Sequence, residues 1–326
     1  MCRRSYTQCG AGSHNKMAFF EHNERSIHYL ERGRGEPLIL IHGLGSSGAD
    51  WALQVPCLEG RCRLIVPDLP GSGHSEPLRQ GYSVEGMAAA LWALCDHLDV
   101  ARVHIVGFSL GGAVGLEMAL QRPDQVSKLG LINSLATYRL DHWRKWLEAA
   151  LTLVLIPAIG MRRAARLAAR RLFPMPWQES LRERATAAVS AVPAARYLCT
   201  GRALLKWSAI ERLGRLKAKA LVIAAENDFT PLEEKRLLAT RLGADFMMVR
   251  GSRHGTPFDS ARATNEALLA FLNDQPLPPA ERWRYDEAEH CVPLAFAGSI
   301  AEEHAFGLAK RALRGASLHS PPGLAG

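Results

Sequence analysis

Three residue types that together can attack an acyl carbon occur at telling places in this chain: a serine, an acid and a histidine. Ser109 stands in Gly107-Phe108-Ser109-Leu110-Gly111, where an apolar run over residues 103–108 meets a helix-like run. A serine hydroxyl is a poor nucleophile at neutral pH, so a base must take its proton and a third group must orient that base. A sharp strand-to-helix turn would lift the hydroxyl clear of a sheet, and side chains flanking such a turn would collide, so glycine at 107 and 111 fits that geometry. The same turn would set Ser109 at a helix N-terminus, whose dipole and free N–H groups favour developing negative charge. By itself the pentapeptide serves equally well as a glycine-rich turn with a capping serine.

The base must come from twelve histidines. His254, in VRGSRHGTPFD, follows an apolar strand-like run and precedes the last long helical run, a loop position suited to reaching across strand ends. His104 falls inside a strand-like run and His97 near a helix end, where packing explains them. His14 and His22 precede the core, and His290, His304 and His319 follow it. For the acid, ALVIAAENDFTP supplies Asp228 just past an apolar run, with Pro231 opening the next helix. A helix-capping role is the competing account of Asp228. Glu226, nearer the strand, is the fallback acid.

The elements that must hold these residues follow from periodicity. Between residues 19 and 272, short β-rich runs alternate with helical ones, and several of the former are continuously apolar, as strands buried on both faces are. The pattern predicts an α/β architecture with a mostly parallel sheet flanked by helices. One connection breaks the rhythm. Residues 138–216 are rich in Leu, Ala and Arg, too long for a crossover and too apolar for a loop, and are expected to form an inserted helical cap. Pro157, Pro174, Pro176 and Pro193 are expected to divide it. The expected division is therefore a core of 19–137 and 217–272, a cap of 138–216, and a disordered N-terminal extension of 1–18. Residues 273–326 form a Pro-rich linker and a tail with one helix, 299–314, opened by the capping box Ser299/Glu302 and closed by Gly315.

With these residues in place, the chain resembles the α/β-hydrolase superfamily, in the branch with an inserted helical cap. The likeness covers residues 19–272 and includes the chain order Ser109, Asp228, His254. Two further motifs match: HGLGSS at 42–47 is similar to the family's His-Gly loop, and DLPGSGHSE at 68–76 to its glycine-rich turn. The resemblance implies a catalytic triad of Ser109, Asp228 and His254. It also implies an oxyanion hole made by the backbone N–H groups of Leu44 and Leu110, with His42, Gly43, Gly107 and Gly111 shaping the loop and elbow. Asp68 and His74 are expected to be structural. Serine at the elbow argues against relatives that use aspartate there, such as haloalkane dehalogenases and epoxide hydrolases, and no HGGG loop is present. The expected activity is hydrolysis of carboxylic esters with small or medium acyl chains through an acyl-enzyme, which needs neither cofactor nor metal. Enol-lactone hydrolysis, or carbon–carbon bond hydrolysis of ring-cleavage products, remains open on the same residues. So does a non-catalytic ligand-binding protein on the hydrolase scaffold.

Composition narrows the classes. The chain has 326 residues and a formal net charge of +8, but its basic residues are spread and accompany no zinc-finger spacing or RNA-binding aromatic motif, so nucleic acid is not an expected partner. Seven cysteines, an odd number without a C-x-x-C pair, favour reduced thiols and a cytoplasmic location. The opening MCRRSYTQCGAGSHNK lacks the apolar segment of a secretory signal. The longest apolar run, residues 147–161, is interrupted by Glu148 and Pro157 and is too short to span a bilayer. In the following MRRAARLAARR, Arg162, Arg166 and Arg170 share one helical face, which is either a solvated cationic surface or a contact for anionic lipid. Trp143, Trp146, Phe173 and Trp177 either line an acyl pocket or pack the cap. A homo-oligomer is left open.

Overall fold

The computed structural model describes residues 15–79, 82–141 and 143–279. Its frame is one eight-stranded sheet made of β1 (Asn15–His22), β2 (Arg25–Arg32), β3 (Glu36–Ile41), β4 (Cys62–Pro67), β5 (Val103–Phe108), β6 (Val126–Ile132), β7 (Lys219–Ala225) and β8 (Asp245–Val249). The spatial order is β1-β2-β4-β3-β5-β6-β7-β8. β1 and β2 pair antiparallel, as do β2 and β4, and every later pairing is parallel. All six residues of β5 are buried, as are the last six of β7, because helices cover both faces.

On one face, α2 (Val84–His97) and α3 (Leu110–Gln121) pack Leu91, Val114 and Leu116 over Ile39, Ile41 and Ile105. On the other, the short α1 (Val55–Leu58) and α10 (Ala261–Leu272) pack Leu58, Leu268 and Phe271 over Leu38, Leu40 and Val106. The successive residues of β3 thus divide between two cores, as a period of two requires. Local signals set the ends. Ser83 caps α2 by accepting from Gly86 N at 3.1 Å, and α8 (Leu232–Leu242) ends at Gly243 in the left-handed region.

Between β6 and β7 the chain leaves the sheet and builds α4 (Trp143–Ile159), α5 (Met161–Leu172), α6 (Glu179–Ala191) and α7 (Ala194–Lys206). Pro174 and Pro176 separate α5 from α6, and Pro193 opens α7. Pro157 was expected to divide helices and does not: it lies inside α4, which continues to Ile159. The break falls at Gly160, whose φ of 80° is open to glycine at little cost, whereas Pro157 removes only one ladder bond in the last turn.

The N-terminal boundary also differs. Residues 15–18, assigned by sequence to a disordered extension, belong to β1, which pairs along its whole length with β2 through a turn with Asn23 and Glu24 at positive φ. A strand whose order comes from a partner ladder leaves little trace in its own composition. Residues 1–14 and the expected tail helix 299–314 lie outside the described residues.

Candidate active site

The turn from β5 into α3 holds Ser109 at φ 54° and ψ −116°, an unusual conformation for a non-glycine residue. Its neighbours show why glycine is required. A Cβ on Gly107 would lie 2.3 Å from Gly111 O, and one on Gly111 would lie 2.0 Å from Ile41 O. With both absent, β5, β3 and α3 approach closely enough to lift Ser109 from the sheet edge.

The structure brings the three sequence-predicted residues together. Ser109 Oγ is 2.9 Å from His254 Nε2, and His254 Nδ1 is 2.9 Å from Asp228 Oδ1. His254 sits in the loop between β8 and α9 (Thr256–Asp259). That loop is tied to the sheet by Asn133, a fully buried residue at φ 49° that donates to His254 O at 2.7 Å and accepts from Ala225 N at 2.8 Å. The rings of Phe108 and Phe229 flank the imidazole at 5.3 and 4.3 Å. Glu226, the fallback acid, is exposed and accepts from Gly251 N at 2.9 Å, so its role is to close a turn.

Asp228 has a partner that sequence reading missed. Its Oδ2 accepts from Thr230 Oγ1 at 2.9 Å and from Lys235 Nζ on α8, while Oδ1 also accepts from Thr230 N at 3.2 Å. The Lys235 side chain is completely buried. Burial pushes the Asp228 carboxyl up, but the charges of His254 and Lys235 outweigh it and hold the group well below the usual carboxylate range. Lys235 in turn is lowered, because burial outweighs its attraction to Asp228. In sequence, Lys235 lies in LEEKRLL and reads as one more charge on an exposed helix face. Only the inward rotation of α8 reveals it.

The His-Gly loop is held from behind. His42, fully buried, accepts from Leu69 N at 2.9 Å through Nε2, and its Nδ1 donates to Gly43 O at 2.8 Å. Asp68 accepts from Gly48 N at 2.7 Å, His74 N at 2.9 Å and His28 Nδ1 at 2.9 Å. Burial opposes the Asp68 charge, yet the hydrogen bonds of His28 and His74 keep this carboxyl low as well. Among the described residues, His28, Asp68 and His74 form the one grouping of metal-ligand atom types. Its shared Asp68 oxygen is already engaged by His28 Nδ1 and His74 N, which suits a structural clasp between β2 and the turn after β4. Leu110 is the first residue of α3, so its N–H has no intrahelical acceptor, and Leu44 lines the cavity beside Ser109.

That cavity, about 510 Å³, lies between the sheet domain and the inserted helices, and it is mainly apolar. Ser109, His254 and Leu44 form its floor, and Leu181, Val189 and Leu205 line it from the insertion. Of the four aromatic residues singled out by sequence, Phe173 is buried and lines the cavity, whereas Trp143, Trp146 and Trp177 are exposed. At one wall Arg184 of α6 reaches Ala49 O beside the buried Asp50. Burial raises the Asp50 carboxyl, with Arg184 acting against that rise.

A mostly parallel sheet, a strand–serine–helix turn at positive φ and a helical insertion over the strand ends define a recognisable family. Its model, described as the alpha/beta hydrolase fold, matches residues 36–291. The chain is an α/β hydrolase. RutD of Stutzerimonas stutzeri (strain A1501), named provisionally as a carbamate hydrolase, is 30% identical over 261 residues, covering 76% of this hydrolase and 97% of that protein. A solved hydrolase from Pseudomonas aeruginosa PA01 is 27% identical with a TM-score of 0.70, covering 81% of this chain and 99% of that one. A bromoperoxidase from Bacillus anthracis is 26% identical with a TM-score of 0.72, covering 80% and 100%.

Proposed function

We propose that this hydrolase cleaves carboxylic esters with small or medium acyl chains, with Ser109 as nucleophile, His254 as general base and Asp228 as the acid that orients it. The observation that supports this most directly is the unbroken contact chain Ser109 Oγ, His254 Nε2, His254 Nδ1, Asp228 Oδ1, at 2.9 Å on each side of the imidazole. It opens into an apolar cavity of about 510 Å³.

In the first half-reaction His254 takes the Ser109 proton as Oγ attacks the ester carbonyl carbon. The oxygen that becomes negative is received by the N–H groups of Leu44 and Leu110, and each donor lowers such a barrier by about 3 kcal/mol. The carbon–alkoxy bond then breaks, and His254 gives its proton to the departing alcohol. Water repeats the sequence on the acyl-enzyme: His254 takes a water proton as the water oxygen bonds to the acyl carbon, the acyl–Oγ bond breaks, and the proton returns to Ser109 as the acid leaves. The negative Asp228 beside Nδ1 stabilises the imidazolium formed in each half. Every step is served by these side chains and backbone groups.

The relatives named for carbamate hydrolysis make the carbamate carbonyl the natural competitor. The breadth and apolar walls of the cavity favour an acyl chain over a small polar carbamate. The test is turnover of p-nitrophenyl acetate, butyrate and octanoate beside an aryl carbamate, an enol-lactone and a ring-cleavage diketone, each with the native protein and with Ser109→Ala. Ester turnover with an optimum at butyrate or octanoate, abolished in the variant, is the expected result. Carbamate, lactone or diketone turnover above every ester reassigns the substrate, and equal slow rates in both proteins leave a ligand-binding role.

A further inference from the structure

We propose that α4 and α5 form a docking surface for an anionic lipid bilayer. The outward face of α4 is the unusual one. Trp143, Trp146, Leu147 and Val154 are 66%, 58%, 46% and 64% exposed, and Ala150, Pro157 and Ala158 are exposed with them. Their spacing places them along one stripe of the helix. A globular helix ordinarily turns its apolar stripe inward and its charges outward. Here Lys145 is turned inward, bonded to Asp141 at 2.9 Å and Glu234 at 2.6 Å, while the tryptophans face solvent. Ala149 and Thr152, on the inner side, line the cavity.

After the single residue Gly160, α5 supplies the charge. Arg162, Arg163, Arg166, Arg170 and Arg171 are exposed, Ala165 and Ala169 are buried, and no acidic residue occurs in the helix. Leu167 lies exposed among these arginines, and Met175 and Trp177 extend the apolar surface beyond them. Exposed tryptophan and leucine beside a one-signed row of arginines is the chemistry of a helix pair lying at a headgroup boundary. No helix among the described residues is long and apolar enough to cross a membrane, so contact is with the surface. The charge also argues against a second copy as the occupant, because a two-fold contact through this face would bring arginine rows of like sign together. Since Ala149 and Thr152 of α4 and Ala168 and Leu172 of α5 wall the cavity, docking would set that wall against the leaflet. The proposal rests on the surface alone and does not depend on the hydrolytic reading.

The test is co-flotation of the full chain with phosphatidylcholine vesicles, with and without phosphatidylglycerol, at low and high salt. Two variants accompany it: Arg162→Gln with Arg163→Gln and Arg166→Gln, and Trp146→Ser with Val154→Asp. Thermal melting confirms that each variant is folded. The native chain is expected to float with anionic vesicles and much less with neutral ones, and salt should weaken binding. Each basic residue near an anionic leaflet strengthens binding by about fivefold, so the arginine variant should bind on the order of 100-fold more weakly. The apolar variant should lose flotation. Absence of flotation with either vesicle, equal flotation with both, or unchanged binding by the folded variants overturns the proposal. So does a sedimenting dimer that Trp146→Ser with Val154→Asp converts to monomer, which would assign the face to a second copy.

Discussion

Replacing Lys235 with methionine removes a cation from behind the Asp228–His254 pair while keeping an unbranched side chain of similar length. In the native protein Lys235 Nζ bonds Asp228 Oδ2, and His254 Nδ1 stands 2.9 Å from Oδ1, so the carboxylate lies between two potential cations. Without Lys235, the Asp228 charge acts on the imidazole unopposed and stabilises its protonated form, which cannot serve as a base. The acid limb of the kcat/KM pH profile must then move to higher pH. Unit charges about 4 Å apart interact by about 4 kcal/mol at an effective dielectric of 20, which bounds the effect from above because Lys235 and His254 sit on different oxygens of the carboxylate. One pH unit corresponds to about 1.4 kcal/mol, so a displacement of about 1 to 2 units is expected. Leaving a buried carboxylate without its partner also costs about 3 to 5 kcal/mol of stability, so Lys235→Gln, which keeps an N–H donor, is measured in parallel. Ester turnover by each variant from pH 5 to 9, with folding checked by circular dichroism, supplies the profile. Acid limbs that overlay the native one in both folded variants would refute the argument and leave Lys235 as packing alone.

Asp68→Asn should destabilise the protein at neutral pH by about 2 to 4 kcal/mol, since hydrogen bonds to a buried charge are lost at Gly48, His28 or His74. The Asp68 carboxyl is lowered in the folded state, so its contribution is present above the ordinary carboxylate pKa of about 3.9. It is lost as pH falls below that value, so denaturant titrations of variant and native protein should converge towards acid pH. Gly111→Ala sets a Cβ against Ile41 O and should cost roughly 4 kcal/mol or more, read as a large fall in melting temperature. Arg184→Met removes the bond from α6 to Ala49 O and the cation beside Asp50, and should raise KM for the longest ester severalfold with a smaller change in kcat.

What was legible in the sequence divides by physical cause. Gly107 is forced by a contact with Gly111 O inside the turn and Gly111 by the end of β3 at Ile41 O, and Ser109 lies between them, so a short local motif carries the signal of both. Asp228 and His254 follow β7 and β8, whose apolar runs are long enough to recognise, so their placement at strand ends could be read from the sequence. Lys235 could not, because its burial depends on how α8 rotates against the sheet and on the carboxylate it meets there. β1 was hidden for a related reason: its order comes from the ladder with β2. In the insertion, the helices were legible from composition but their orientation was not. Arg184 and Arg162 look alike in sequence, yet one is packed beside Asp50 and the other faces solvent.

The proposed reaction requires that Ser109, activated by His254, form a covalent bond to the acyl carbon of its substrate. Intact-mass measurement after incubation with a fluorophosphonate, which such a serine attacks with release of fluoride, tests it most directly. One adduct per chain is expected, mapped to the peptide holding Ser109, absent in Ser109→Ala and slowed at least a thousandfold in His254→Ala. An unlabelled native protein, or an adduct on another residue that persists in Ser109→Ala, would contradict it.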